Sequence, residues 1–165
     1  MKRFHVFLRS VLLTFLVVAL SSAGFADDKV FSHTNPKINL THIFEGEINK
    51  SGKPVGFHAR HLGKDPENKG SKLAGVIAVI DGPNKYGVYG AKVWICQKDK
   101  TKTSTFYPDK MSRDEIIQAI LLAYKNGSLQ GGKFRGPSGK GFTIEGYTLG
   151  KDCINTAYPI YQDVK

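Results

Sequence analysis

The chain is poor in sulfur and in acid. Cys96 and Cys153 are its two cysteines, and no CxxC pair exists, which excludes a cysteine-based zinc site. Only 14 Asp and Glu stand against 24 Lys and Arg, a formal net charge of +10 at pH 7. No HExxH and no convincing carboxylate spacing for a metal is present. No nucleophile elbow is present either, and both cysteines fall in strand-like segments, so Ser-His-Asp and Cys-His hydrolases find no support. There is no internal repeat, which excludes a solenoid.

The one long apolar run is at the N-terminus. Val11–Leu20 follows Lys2, Arg3 and Arg9 and precedes the small residues that end in Gly24-Phe25-Ala26. This is the layout of a secretory signal peptide over residues 1–26, with cleavage expected after Ala26. An uncleaved anchor is the alternative, but the run is short against the roughly 20 residues of a membrane span. Export to the periplasm or medium is expected, with no stable membrane partner after cleavage. Residues 27–165 then suit one domain, with 27–39 an extended leader and 40–165 the folded unit. Without Lys2, Arg3 and Arg9 the charge falls from +10 to +7. That surplus favours anionic partners, nucleic acid or a membrane surface. In an exported chain the even cysteine count invites a Cys96–Cys153 disulfide, worth about 3–4 kcal/mol. Two buried thiols in neighbouring strands are the alternative.

The pattern of elements is α+β. "THIFEGEI" reads as a short strand or the start of a helix, and residues 49–71 as loop. "LAGVIAVID" reads as a buried strand, ended by the turn "GPNK". "YGVYGAKVWICQ" is a second strand, "KDKTKT" a polar hairpin loop, and "STFYP" a third strand stopped by Pro108. One helix is well defined, over about 112–125. Ser112 and Glu115 form a capping box, Ile116, Ile117, Ile120, Leu121 and Tyr124 mark one stripe, and Asn126-Gly127 ends it. "GGKFRGPSGKG" reads as loop, and "FTIEGYTLG" and "INTAYPIYQ" as closing strands. One helix with five or so antiparallel strands results.

The chemistry concentrates in "HIFEGEINKSGKPVGFHARH", from His42 to His61. Gly46, Gly52 and Gly56 lie between His42 and His58, so the chain can fold back and bring both rings into one cleft. Two imidazoles facing one phosphodiester suit RNA cleavage, one taking the proton of a 2′-hydroxyl and the other protonating the leaving 5′-oxygen. A lysine or arginine supplies charge to the phosphorane. Spacing alone leaves structural histidines as an alternative, and a His42, His58, His61 metal site as a second one.

"HIFEGEI", "GFHA", "SKLAGV", and "STFYP" followed by "MSRDEIIQAI" together resemble the EndoU family of endoribonucleases, its bacterial branch above all, over roughly residues 40–162. That branch includes toxin domains of contact-dependent inhibition systems. The resemblance implies an EndoU/RNase A-like arrangement of antiparallel sheets and metal-independent cleavage of single-stranded RNA beside uridine, leaving 2′,3′-cyclic phosphate ends. It implies RNA as partner, an immunity protein if the protein is a toxin, and no cofactor. His58 of "GFHA" resembles the general base, His42 of "HIFEGEI" the general acid, and Lys72 of "SKLAGV" the catalytic lysine. Lys64, Lys69 and Lys92 are the neighbouring alternatives for that lysine. Thr105 and Tyr107 of "STFYP" resemble residues of the base and ribose pocket, and a backbone N–H near Gly56 and His58 is a candidate for a phosphate oxygen. Viral members carry a serine just after the lysine, whereas Leu73–Val76 here holds no hydroxyl, which leaves uridine preference to Thr105.

Beside the resemblance, Lys133 and Arg135 of "GGKFRGPSGKG" are candidates for phosphate contacts, with Lys140 behind them and Phe134 stacking on a base. A solubilising loop is the alternative. The rival class is a non-catalytic exported module that binds a polyanion or a protein on the same scaffold. A metal-dependent nuclease is the third reading.

Overall fold

A computed structural model describes residues 29–164. The expected signal peptide and its cleavage site lie outside them. The chain runs β1 (Lys37–Ile38), α1 (Leu40–Phe44), β2 (Glu47–Ile48), β3 (Pro54–Val55), β4 (Glu67–Asn68), β5 (Ser71–Lys72), β6 (Ala74–Asp81), β7 (Tyr89–Ile95), β8 (Gln97–Phe106), α2 (Arg113–Asn126), β9 (Ser128–Gln130), β10 (Lys133–Pro137), β11 (Thr143–Thr148) and β12 (Cys153–Pro159).

Two sheets carry the fold. One has five strands in the order β1-β12-β11-β10-β9, the other three in the order β6-β7-β8. All their pairings are antiparallel except β1 with β12. Phe134, Ile144, Ile154 and Ala157 point inward from the five-stranded sheet against Ile116, Ala119, Ile120 and Ala123 of α2, and this is the larger core. Phe57, Ala74, Tyr89, Ala91, Val93, Ile95 and Phe106 form a second core under the three-stranded sheet. The fold is α+β with one main helix, an RNase A-like arrangement of antiparallel sheets.

The helix forms where the capping box predicts. Ser112 Oγ accepts from the Glu115 N–H at 3.2 Å, and the Glu115 carboxylate accepts from the Ser112 N–H at 2.9 Å. Several other readings of the sequence need correction. The leader is part of the fold: Lys37–Ile38 pairs with Cys153–Ile154, and Ile38 is fully buried. "KDKTKT" is no hairpin loop but the body of the ten-residue β8, because the chain reverses earlier, at Cys96, whose φ is 60°. "GGKFRGPSGKG" is not all loop. Its Lys133–Pro137 is β10, with Phe134 and Gly136 inward and Lys133 and Arg135 outward. "LAGVIAVID" is buried only at Ala74 and Gly75. Ile77, Val79 and Ile80 are about half exposed, at 50, 52 and 51%, because β6 is an edge strand.

The expected disulfide is absent. Cys96 is exposed at the β7–β8 turn of one sheet, and Cys153 is buried at the start of β12 in the other. Both the expected bridge and the alternative of two buried thiols in neighbouring strands need the cysteines side by side, and the fold assigns them to different sheets.

Ile120 is fully buried against the five-stranded sheet. Ile120→Ala should lower stability by about 2–5 kcal/mol through the lost contacts and the cavity left behind. Gln118→Ala, exposed on the same helix, should stay within about 0.5 kcal/mol. Urea unfolding of the two variants checks both values.

Candidate active site

The site begins with the shortness of α1. Asn39 caps it, its side-chain oxygen accepting the His42 N–H at 3.1 Å. A five-residue helix cannot satisfy its own last carbonyls. Residues 57–59 satisfy them instead. The Phe57 N–H donates to His42 O at 2.8 Å, and the His58 and Ala59 N–H groups donate to Ile43 O at 2.7 and 3.1 Å. The chain reaches this position through Gly56 and Phe57, both left-handed, with φ of 76° and 59°. Gly56 lies so close to α1 that a Cβ there would overlap the His42 backbone and touch its ring. Only glycine fits.

This backbone stitch brings the two imidazoles together, stacked with centroids 6.3 Å apart and planes at 29°. Both histidines are buried, at 7% exposure. Each is held through Nδ1. His42 Nδ1 meets Glu47 Oε1 at 2.9 Å, and Glu47 Oε2 pairs with Lys29 at 2.7 Å. His58 Nδ1 lies 3.0 Å from the Thr105 carbonyl. A carbonyl only accepts, so Nδ1 of His58 carries the proton and Nε2 of the neutral ring keeps its lone pair. The same argument puts a proton on His42 Nδ1, because the ionised Glu47 carboxylate only accepts.

The lysine that His58 feels is Lys102. Its ammonium donates to the Gly56 carbonyl at 2.9 Å and to Ser104 Oγ, and Ser104 Oγ donates to the same carbonyl at 3.1 Å. Burial, then the charge of Lys102, then that of His42 hold His58 well below the usual imidazole value; the bond to Thr105 opposes them without cancelling them. Burial lowers Lys102 itself to about 8. On the other side of His58 the ring of Tyr158 lies 5.2 Å away, tilted by 32°.

Of the residues named from sequence, His42, His58 and Gly56 meet here. Gly56 serves as a spacer and as the carbonyl that anchors Lys102. Thr105 contributes its backbone oxygen. Lys72 is exposed on the β4–β5 hairpin across from Glu67, lining a groove with Arg60, Lys64 and Asp65. Tyr107 is fully buried in the larger core, edge-on to Phe142, and cannot stack on a base. Its side chain turns inward because the segment after β8 passes beneath His58, whose carbonyl accepts the Tyr107 N–H at 2.9 Å. Phe134 is equally buried. Lys133 and Arg135 are exposed on the outer face of the five-stranded sheet. His61 is exposed and bridges to Lys64, apart from the pair. Among the described residues no group of three His, Cys, Asp or Glu could hold a metal ion.

Sequence reasoning missed Lys102, Glu47 and Tyr158. Lys102 was hidden by the loop reading of "KDKTKT". Tyr158 had a signal: "TAYP" at 156–159 repeats the Thr-x-Tyr-Pro of 105–108, and the second copy is the one whose tyrosine ring lies against His58.

Two buried imidazoles, each held through Nδ1, with the charge of Lys102 acting on one of them, are a set of groups that can take and give protons. The chain belongs to the bacterial EndoU nuclease family, whose sequence pattern matches residues 37–161. A protein named Toxin from Bacillus cereus is 33% identical over 124 residues, covering 73% of this chain and 22% of its own length. The chain thus spans under a quarter of that relative. No solved structure matches.

Gly56→Ala tests the close approach. The left-handed φ and the overlap with the His42 backbone should cost about 1–3 kcal/mol of stability. The displacement of His42 should lower nuclease activity by about 100-fold or more. Thermal melting and initial rates measure the two effects separately.

Proposed function

We propose that this protein is an exported endoribonuclease that cleaves single-stranded RNA by 2′-hydroxyl attack, using His58, His42 and Lys102 without a metal. The observation that carries the reading is the pair of imidazoles, each held through Nδ1, so that both Nε2 atoms remain for substrate. His58 Nε2 takes the proton of the 2′-hydroxyl. The 2′-oxygen forms its bond to phosphorus, and the bond from phosphorus to the 5′-oxygen breaks. His42, entering the step as the imidazolium with its Nδ1–H on Glu47, gives that oxygen its Nε2 proton and is left neutral. The products are a 2′,3′-cyclic phosphate and a 5′-hydroxyl. Lys102 offsets the charge that grows on the phosphorane oxygens. Lys102 is assigned this role because its charge acts on His58, and Lys72, the lysine the family resemblance names, is the second candidate for it.

Lys133 and Arg135 lie on the outer face that also carries Tyr158, and they supply phosphate contacts along the sheet. Uridine is the expected base, with Thr105 at the edge of the pocket. The name of the Bacillus cereus relative supports a toxin role. An immunity protein that shields the site is the partner such a role requires, and the apolar N-terminal run supports export.

A short RNA with one uridine, incubated with the protein in EDTA, tests the mechanism. Cleavage is expected, with none of a matched substrate that has a 2′-deoxy sugar at that uridine. Rates should fall by about 10³-fold or more in His58→Ala and His42→Ala. Binding without any cleavage would instead favour a polyanion-binding module, and cleavage silenced by EDTA a metal-dependent nuclease.

The pH profile follows from the two shifted groups. His58, depressed below the usual imidazole value, stays neutral and competent as a base into mildly acidic solution. Lys102 is charged below about pH 8 and loses its charge above it. The kcat/KM profile should therefore carry an acid limb below the ordinary imidazole range and an alkaline step near pH 8. In Lys102→Arg, whose guanidinium stays charged, that step should move upward.

A further inference from the structure

We infer that Glu145 is a positioning residue, whose carboxylate holds the hydroxyl of Tyr158 and thereby fixes the Tyr158 ring beside His58. The inference rests on the reading of His58 as the base.

Glu145 and Tyr158 stand directly opposite one another in the β11–β12 register, with Arg135 on the far side of Glu145 in β10. The three side chains form one row across the outer face of the sheet, while Gly136, Gly146 and Ala157 fall on the face toward α2. Tyr158 donates its hydroxyl proton to Glu145 Oε1 at 2.7 Å. Lys133 Nζ reaches the same oxygen at 3.0 Å. The Glu145 side chain is only 13% exposed, whereas that of Lys133 is 47% exposed. Burial pushes the Glu145 carboxyl up, but the bonds from Tyr158 and then Lys133 outweigh it and hold the group ionised. A tyrosine ring on a sheet face turns freely about its side-chain torsions unless its hydroxyl is tethered. Here the tether holds the ring 5.2 Å from the His58 centroid.

The position of this carboxylate makes the role distinguishable from a surface ion pair. A negative charge on a basic, RNA-facing sheet repels phosphate. If Glu145 did no more than pair with Lys133, its removal would free a lysine for RNA and leave turnover alone. As a positioning residue it should do the reverse to kcat.

Four variants separate the roles: Glu145→Ala, Glu145→Gln, Tyr158→Phe and the double variant Glu145→Ala/Tyr158→Phe. The amide oxygen of Gln still accepts the tyrosine hydroxyl but no longer attracts Lys133. Glu145→Ala should lower kcat by about tenfold with KM unchanged or lower, the worth of one hydrogen bond to a charged group. Tyr158→Phe should match it, the double variant should be no worse than either single one, and Glu145→Gln should restore most of kcat. Glu145→Gln behaving like Glu145→Ala, or additive losses in the double variant, would overturn the inference. A second readout needs no turnover. In RNA-free protein, the His58 imidazole proton resonance should shift in Glu145→Ala and stay near its wild-type value in Glu145→Gln, because it senses the ring current of Tyr158. If Glu145→Ala left that resonance unmoved, the positioning role would be wrong even with RNA cleavage intact. If it moved while the wild-type protein cut no RNA, the positioning would stand and the nuclease reading would fall.

Discussion

Everything at the site depends on three backbone hydrogen bonds. The N–H groups of Phe57, His58 and Ala59 take the carbonyls that α1 leaves open at His42 and Ile43. A longer helix would have used those carbonyls itself. Because α1 stops after five residues, its end becomes a docking edge for the segment that carries the second histidine. Two residues 16 positions apart in sequence are thus separated by a single hydrogen-bonded contact in space. The left-handed pair Gly56-Phe57 is what lets the chain arrive in the right direction, and Phe57 then buries its ring edge-on to Phe106 at 5.0 Å. The second core therefore fixes the stitch between the two segments from below.

The same segment is held from the other side by β8. The carbonyl of Gly56 accepts from Lys102 and Ser104, the Nδ1 of His58 donates to Thr105, and the Tyr107 N–H donates to His58. Residues 56–58 lie between a helix end and a strand, with nearly every polar group of that stretch committed. The burial this produces has an electrostatic consequence. Burial disfavours charge on imidazole and ammonium alike, so it holds His58 well below the usual imidazole value and brings Lys102 down to about 8. The packing that positions His58 is also what tunes it.

Much of this was legible in the sequence. The capping box at Ser112 and the isoleucine stripe identified α2, and the glycines between the histidines pointed to a fold-back. Local signals carried those inferences. What failed was whatever depends on long-range pairing. "KDKTKT" has the composition of a loop, yet Lys102 and Ser104 bond to the carbonyl of Gly56, and the cross-strand register from Val93 to Lys102 keeps the segment extended. "LAGVIAVID" has the composition of a core strand, yet it lies at a sheet edge, where half of it meets solvent. Tyr107 and Tyr158 share one local pattern, Thr-x-Tyr-Pro, and differ only in what packs over them. One closes the core and the other opens on the histidines. No window of a few residues contains that difference.

The few acids of the chain make the same point in charge. Glu47 joins His42 to Lys29, and Glu145 joins Tyr158 to Lys133. Each of these carboxylates links an aromatic ring of the site to a lysine outside it. Both are well shielded from solvent, with side-chain exposures of 8 and 13%. A carboxylate so placed orients a ring through a charge-assisted hydrogen bond, while the lysine on its far side offsets part of its charge. Where a carboxylate stands beside these rings it holds one of them, and a lysine stands behind it.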